Sequence, residues 1–148
     1  MKIKITQNHI KLIKKICKKN NIDVHIYNLK SDYFDENGYS IYSSSYIPEY
    51  NCINLNKYEI NKMYSKNRKL LNDEGYNVKN MFFGTFLHEL GHYKTLKNWN
   101  GDIDKFASYY ENCDNINQTE YDNIYPERLA NRYFRRYYKV YLKKEKVS

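Results

Sequence analysis

Residues 88–92 read His-Glu-Leu-Gly-His. On an α-helix, positions i and i+4 lie one turn apart on the same face, so His88 and His92 can aim two imidazoles at one ion. Zinc suits such a pair, at about 2.0–2.1 Å from each nitrogen. Glu89 adjoins the first histidine and can reach a water held by the metal rather than the metal itself. It could take that water's proton as a general base and later pass it to a leaving amine. The pentapeptide sits in the most apolar stretch of the chain, residues 80–97 (NMFFGTFLHELGHYKTLK). Two histidines and a glutamate are costly to bury there without a partner, and a metal would supply one.

Two histidines do not complete a catalytic zinc site, which commonly has a third protein ligand and an open position. The extended metzincin pattern would need glycine at 95 and histidine at 98, where this chain has Thr95 and Asn98. The other histidines, His9 and His25, lie far upstream, so a carboxylate is the better third ligand. Glu127 stands 35 residues after His92, in the first turn of an expected last helix and on its apolar side. Asn131, one turn further, projects the same way and could fix the orientation of one ligand histidine. Asp102 or Asp104 is the second choice, and Glu111 and Glu120 are further rivals. An ordinary helix N-terminal carboxylate is the bland account of Glu127.

These side chains need elements to hold them. Thr6 can cap a helix running to about Lys19, with Ile10, Ile13, Ile16 and Cys17 on one side and lysines on the other. Ile22, Val24 and Ile26 alternate with polar residues as in a half-buried strand. Residues 30–38 form a polar turn region. Residues 39–47 and 51–55 read as two more strands, interrupted by Pro48-Glu49, so a hairpin or meander is plausible. A charged helix is expected over 56–72, ended by Asp73-Glu74-Gly75. The motif helix follows, with Asn80 as its cap and apolar residues nearly all round. The polar stretch 98–124 holds at most a short helix near Lys105–Glu111. From Pro126, suited to a first helical position, the last helix runs to about Lys144. Its inward side carries Glu127, Ala130, Phe134, Tyr137, Tyr138 and Tyr141. The expected fold is a single α+β domain over 1–148, with a small, mostly antiparallel sheet beside the motif helix and a C-terminal ligand helix.

Bulk composition is compatible with that picture. The 148 residues suffice for one core, and 18 tyrosines compensate for a modest apolar share of 41%. The net charge of +8 comes from dispersed lysines, which fits a solvated basic face and allows weak nucleic-acid binding. Cys17, Cys52 and Cys113 are odd in number and widely spaced, as expected of reduced thiols in a cytoplasmic protein. The N-terminal residues lack an apolar leader core, and no apolar run is long enough to span a membrane.

Residues of roughly 39–141 resemble the ImmA/IrrE-type metallopeptidase domain. The likeness rests on short strands ending in NCINL (51–55), then FLHELGH (86–92), then ERLANRYF (127–134). The resemblance implies a zincin-like fold with Zn2+ and a third ligand at the head of the ExxAN stretch, Glu127. It also implies a phage, mobile-element or bacterial origin and proteolysis of a protein partner such as a repressor. The stretch between Tyr93 and Pro126 is not diagnostic, and no helix-turn-helix or sensor domain is attached.

The leading expectation is thus a zinc endopeptidase. The strand near Cys52–Leu55 could pair with an extended protein or peptide substrate. Tyr93, Tyr121, Tyr125 or Arg128 could stabilise the oxyanion, and sequence does not choose among them. The alternatives are a toxin-like peptidase with a host target and a catalytically weak binding protein on a zincin scaffold. The latter would act on nucleic acid or as a host-defence inhibitor.

Overall fold

The computed structural model describes residues 7–30, 43–66, 69, 81–111, 113 and 116–144. The first helix, α1 (Gln7–Lys19), buries His9, Leu12, Ile13, Ile16 and Cys17, a stripe at i, i+3, i+4, i+7 and i+8. Its end is chemically specified. Asn21 takes a left-handed conformation at φ 56°. The Ile22 N–H then donates to the Cys17 carbonyl at 2.9 Å and the Asn21 N–H to the Lys18 carbonyl at 3.3 Å. This double bond pattern closes the last turn and sends the chain directly into a strand. The expected cap, Thr6, lies outside the described residues.

Three strands form one sheet: β1 (Asp23–Tyr27), β2 (Ser45–Ile47) and β3 (Cys52–Asn56), in the order β1-β3-β2. The sheet is mixed, not mostly antiparallel. The five-residue β1/β3 ladder is parallel, while β2 and β3 pair antiparallel over three residues. The reason lies in the connections. Strand β2 runs opposite to β1 and carries the chain back to the end of the sheet where β1 starts, so β3 enters between them in the direction of β1. Only the short turn Pro48–Tyr50, closed by Asn51 at φ 47°, makes a hairpin between β2 and β3. Of the expected strand over 39–47, residues 39–42 lie outside the described residues.

Asn56 ties the end of β3 to its surroundings. Its side-chain oxygen accepts from the Leu29 and Tyr58 N–H groups, each at 3.2 Å, and its Nδ2 donates to the Leu29 carbonyl at 3.0 Å. Helix α2 (Lys57–Lys66) follows at once and buries Ile60. Of the expected extension to residue 72 only Lys69 is described, in helical conformation, and the 73–75 break and the Asn80 cap lie outside the described residues.

The central helix, α3 (Met81–Asn98), is buried on almost every side, as its all-round apolar sequence requires. Phe82, Phe83, Phe86, Leu87 and Leu90 are fully buried, each contributing about 1.5–3 kcal/mol by leaving water. The helix ends where Asn100 and Gly101 take positive φ and the Gly101 N–H donates to the Leu96 carbonyl at 2.9 Å. Two short helices follow, α4 (Ile103–Ser108) and α5 (Gln118–Asp122). The first lies a few residues upstream of the expected 105–111 because Asp102 caps it, accepting the Lys105 N–H at 3.0 Å.

The last helix, α6 (Tyr125–Lys144), packs along α3. Its inward face has Pro126, Glu127, Ala130 and Tyr138 buried, with Phe134, Tyr137 and Tyr141 packed against the core. Gly91 is the point of closest approach. A Cβ placed there would stand 2.9 Å from the Ala130 Cα, 3.1 Å from the Tyr133 Cβ and 3.2 Å from the Ala130 carbonyl oxygen. Among the described residues, no helix is long and apolar enough to cross a membrane.

Candidate metal centre

The α3/α6 contact at Gly91 and Ala130 brings two turns of α3 against the first turn of α6. His88 and His92 project from α3, with ring centroids 4.9 Å apart and planes at 89°. Glu127 meets both. Its Oε1 lies 3.2 Å from His88 Nε2 and its Oε2 lies 2.8 Å from His92 Nε2. One ligand atom from each of the three residues falls within 4.8 Å of the others. Glu127 is 4% exposed and His92 7% exposed, so neither can rely on solvent to neutralise it.

The donor set fits a catalytic zinc. Two imidazole nitrogens and one carboxylate form a three-ligand set of the kind that leaves an open coordination position. Ligand atoms around one tetrahedral zinc stand about 3.3–3.5 Å apart. The His88–Glu127 separation is close to that. The His92–Glu127 separation is shorter, that of a direct N–H···O contact, and would open slightly around an ion. Asn131 supports the assignment, because its Oδ1 lies 2.8 Å from His88 Nδ1. A proton on Nδ1 donated to that oxygen leaves the Nε2 lone pair free for a metal. His92 Nδ1 is buried and has no hydrogen-bond partner among the described residues. Its ring is held by edge-to-face packing on Phe106, at 5.5 Å between centroids.

Electrostatics bind the cluster together. Burial alone would pull the His88 pKa down. The hydrogen bond it donates to Glu127 and the charges of Glu89 and Glu127 reverse this and hold it up at about 9. Burial would raise Glu127, but its hydrogen bonds to His88 and His92 win and keep it far below the usual carboxylate range. Without metal the site therefore holds a carboxylate with a protonated His88. A metal ion would displace that proton.

Glu89 points elsewhere, as expected of a residue that is not a ligand. Its Oε2 accepts the Tyr46 backbone N–H of β2 at 2.8 Å. Burial raises its pKa, although the neighbouring histidines oppose this. The carboxylate is thereby anchored to the sheet one residue from the candidate ligand His88. The strand beside it is β2, and here a correction is needed. Residues 52–55 belong to β3, which is central and paired on both sides, so they cannot accept a further strand. The edge strands are β1 and β2, and β2 is the one beside Glu89. The Tyr46 N–H of β2 is held by Glu89, and that of Ser44, just before the strand, by Glu59 Oε1 at 3.0 Å.

The rival ligands are not brought to the centre. Asp102 caps α4, and Asp104, Glu111 and Glu120 are exposed. Of the four oxyanion candidates, Tyr93 donates its hydroxyl to the Asn20 carbonyl at 3.1 Å. Tyr125 stacks at 6.0 Å on Trp99, and the Arg128 guanidinium lies 5.4 Å over the Tyr125 ring. Tyr121 contacts the Tyr110 ring at 6.4 Å.

Tyr110 is the polar side chain that the sequence did not reveal. Its hydroxyl donates to Glu127 Oε2 at 2.6 Å. Burial, followed by the charge of Glu127, pushes its own pKa up, so it stays a neutral donor. Nothing local distinguishes Tyr110 from the other tyrosines. It reaches the site only because α4 and the turn after it bring Phe106 and Tyr110 over the His92–Glu127 edge.

No protein-family model matches the chain, and neither does any curated protein or solved structure.

Proposed function

We propose that the chain is a zinc-dependent endopeptidase that hydrolyses a peptide bond in a protein partner. The resemblance of its 51–55, 86–92 and 127–134 segments to the ImmA/IrrE-type domain agrees with this reading. The observation that carries it is the meeting of His88, His92 and Glu127 from two helices within 4.8 Å, in a buried setting beside an unbound glutamate. Bound zinc would lower the pKa of a water toward about 7 and polarise the scissile carbonyl. His88, His92 and Glu127 would hold the ion, with Asn131 and Tyr110 fixing the first and last of them. Glu89 would hold the proton taken from the nucleophile and deliver it to the leaving amine. Its bond to Tyr46 anchors that carboxylate to β2 beside the three side chains that would hold the ion.

The test is metal content together with cleavage of a quenched-fluorescent peptide library. Wild type should carry one zinc per chain and cleave. Glu127→Gln and His88→Ala should lose zinc, while Glu89→Gln should keep zinc and lose cleavage. Cleavage unimpaired in Glu89→Gln would overturn the assignment of the base. Zinc bound but no cleavage by wild type would favour a catalytically weak binding protein.

A further inference from the structure

The chain has 20 lysines and only five arginines, yet four of those arginines lie on α6. Arg128, Arg132, Arg135, Arg136 and Lys139 are all exposed. At 100° per residue, Arg128, Arg132, Arg135 and Lys139 fall within about 60° of one another, and Arg136 flanks them. Arg128 and Lys139 are about 16 Å apart along the axis. The acidic residue within α6 is Glu127, which lies on the core side and is buried. Among the described residues, none of these five cations has an acidic partner within ion-pair distance.

At its N-terminal end the stripe meets an aromatic cluster. Tyr125, 40% exposed, and Tyr109, 38% exposed, pack on Trp99, with ring centroids 6.0 and 5.6 Å away. Two cations, one of them from the stripe, lie over these rings. Lys105 Nζ is 4.5 Å from the Trp99 centroid, and the Arg128 guanidinium is 5.4 Å from that of Tyr125.

We propose that this face binds single-stranded nucleic acid. The arginine stripe would track the phosphates, and a terminal base would stack at the Tyr125 and Tyr109 edge. Three observations select this occupant. Guanidinium forks match phosphate oxygens two at a time, and the stripe concentrates arginine in a chain otherwise supplied with lysine. Solvent-exposed aromatics beside a cationic track are what unpaired bases require and what a duplex does not use. An anionic membrane would need an apolar face to insert, and the apolar face of α6 is already packed on α3. This surface does not depend on the metal, so its success or failure is separate from that of the peptidase reading.

The experiment is fluorescence anisotropy with a labelled 20-nucleotide oligothymidine at 50–200 mM salt, with and without EDTA. Four or so phosphate contacts on a single strand predict log Kd changing with log salt at a slope of about 3. The variant Arg132→Gln/Arg135→Gln/Arg136→Gln/Lys139→Gln alters exposed side chains alone. It should lose at least tenfold in affinity and most of that slope, while its circular dichroism and zinc content stay unchanged. Tyr125→Ala should weaken binding by about fivefold or more at unchanged slope. Undiminished binding by the fourfold variant would overturn the proposal, as would no measurable binding by wild type. Tighter binding of a 20-base-pair duplex, or of phosphatidylserine vesicles, would overturn it equally.

Discussion

Gly91 is the residue on which the candidate metal centre turns, although it offers no ligand atom. In Gly91→Ala the new Cβ would lie 2.9 Å from the Ala130 Cα and 3.2 Å from the Ala130 carbonyl oxygen. Both are backbone atoms, so no side chain can swing aside. Ordinary carbon contacts are about 3.5–4.0 Å, so α3 and α6 must part by roughly 0.6–1 Å. The ligand set tolerates only about 0.2 Å in each metal distance, and His88 and His92 are on one helix with Glu127 on the other. Two effects compete in stability. Alanine for glycine in a helix gains about 1 kcal/mol, and overpacking costs about 1–3 kcal/mol. The metal-free variant should therefore be less stable by up to about 2 kcal/mol, with zinc affinity at least tenfold lower. Urea denaturation in EDTA and competitive zinc titration read the two quantities. Gly84→Ala is the control on the same helix. Its Cβ would meet the end of the Phe134 ring at 2.8 Å, a half-buried side chain that can rotate. That variant should keep wild-type zinc affinity. If Gly91→Ala instead bound zinc like wild type and were more stable, helix propensity alone would account for it. The close crossing would then not be what aligns the ligands.

Other expectations follow from the same geometry. Tyr110→Phe removes a donor to the Glu127 carboxylate, a bond worth about 1.5–3 kcal/mol, and should weaken zinc binding roughly 10- to 100-fold in the same titration. In metal-free protein the His88 pair should make stability fall with alkali. His88 is raised from 6.5 to about 9, so its contribution is complete below pH 6.5 and lost as pH rises through 9. Glu127, held low, contributes above pH 4.5 and is lost on acidification. Urea midpoints in EDTA should thus decline from pH 6 to pH 9 in wild type and change less in Glu127→Gln. Burial, aided by Asp23, raises the Cys17 thiol to about 12, and burial also raises Cys52. Iodoacetamide at pH 8 should therefore modify partly exposed Cys113 first, as intact-mass spectrometry and peptide mapping would show.

Much of the fold was legible because its signals are local. The α1 stripe, the alternation at residues 22–26 and the apolar run around the HELGH pentapeptide each specify an element without tertiary help. Glu127 was legible for a related reason. A carboxylate on the apolar face of a helix must find a charge, and Asn131 one turn later shares its direction. The parallel β1/β3 pairing was not legible, since alternation marks a strand but carries neither its direction nor its place in the strand order. Tyr110 and the β2 edge were missed for the same reason. Each reaches the site through a polar connection whose course no periodicity encodes.

The two kinds of information meet at the α3/α6 crossing. A helix buried on nearly every side has no amphipathic face to fix its rotation, so contacts must fix it instead. Gly91 against Ala130 sets the distance. The hydrogen bond between His88 and Asn131 sets the rotation about the α3 axis on one side. The Tyr46 N–H to Glu89 bond sets it on another. Those two polar bonds come from α6 and from β2, and they hold neighbouring residues of the same turn. Turning α3 by one residue, about 100°, would break both bonds and carry His88 and His92 away from Glu127. The rotational register of this all-apolar helix is therefore set by the polar residues that form the candidate site. Replacing Asn131 with Leu should loosen both the fold and the zinc site, whereas replacing an outward residue of α6 such as Arg135 should affect neither.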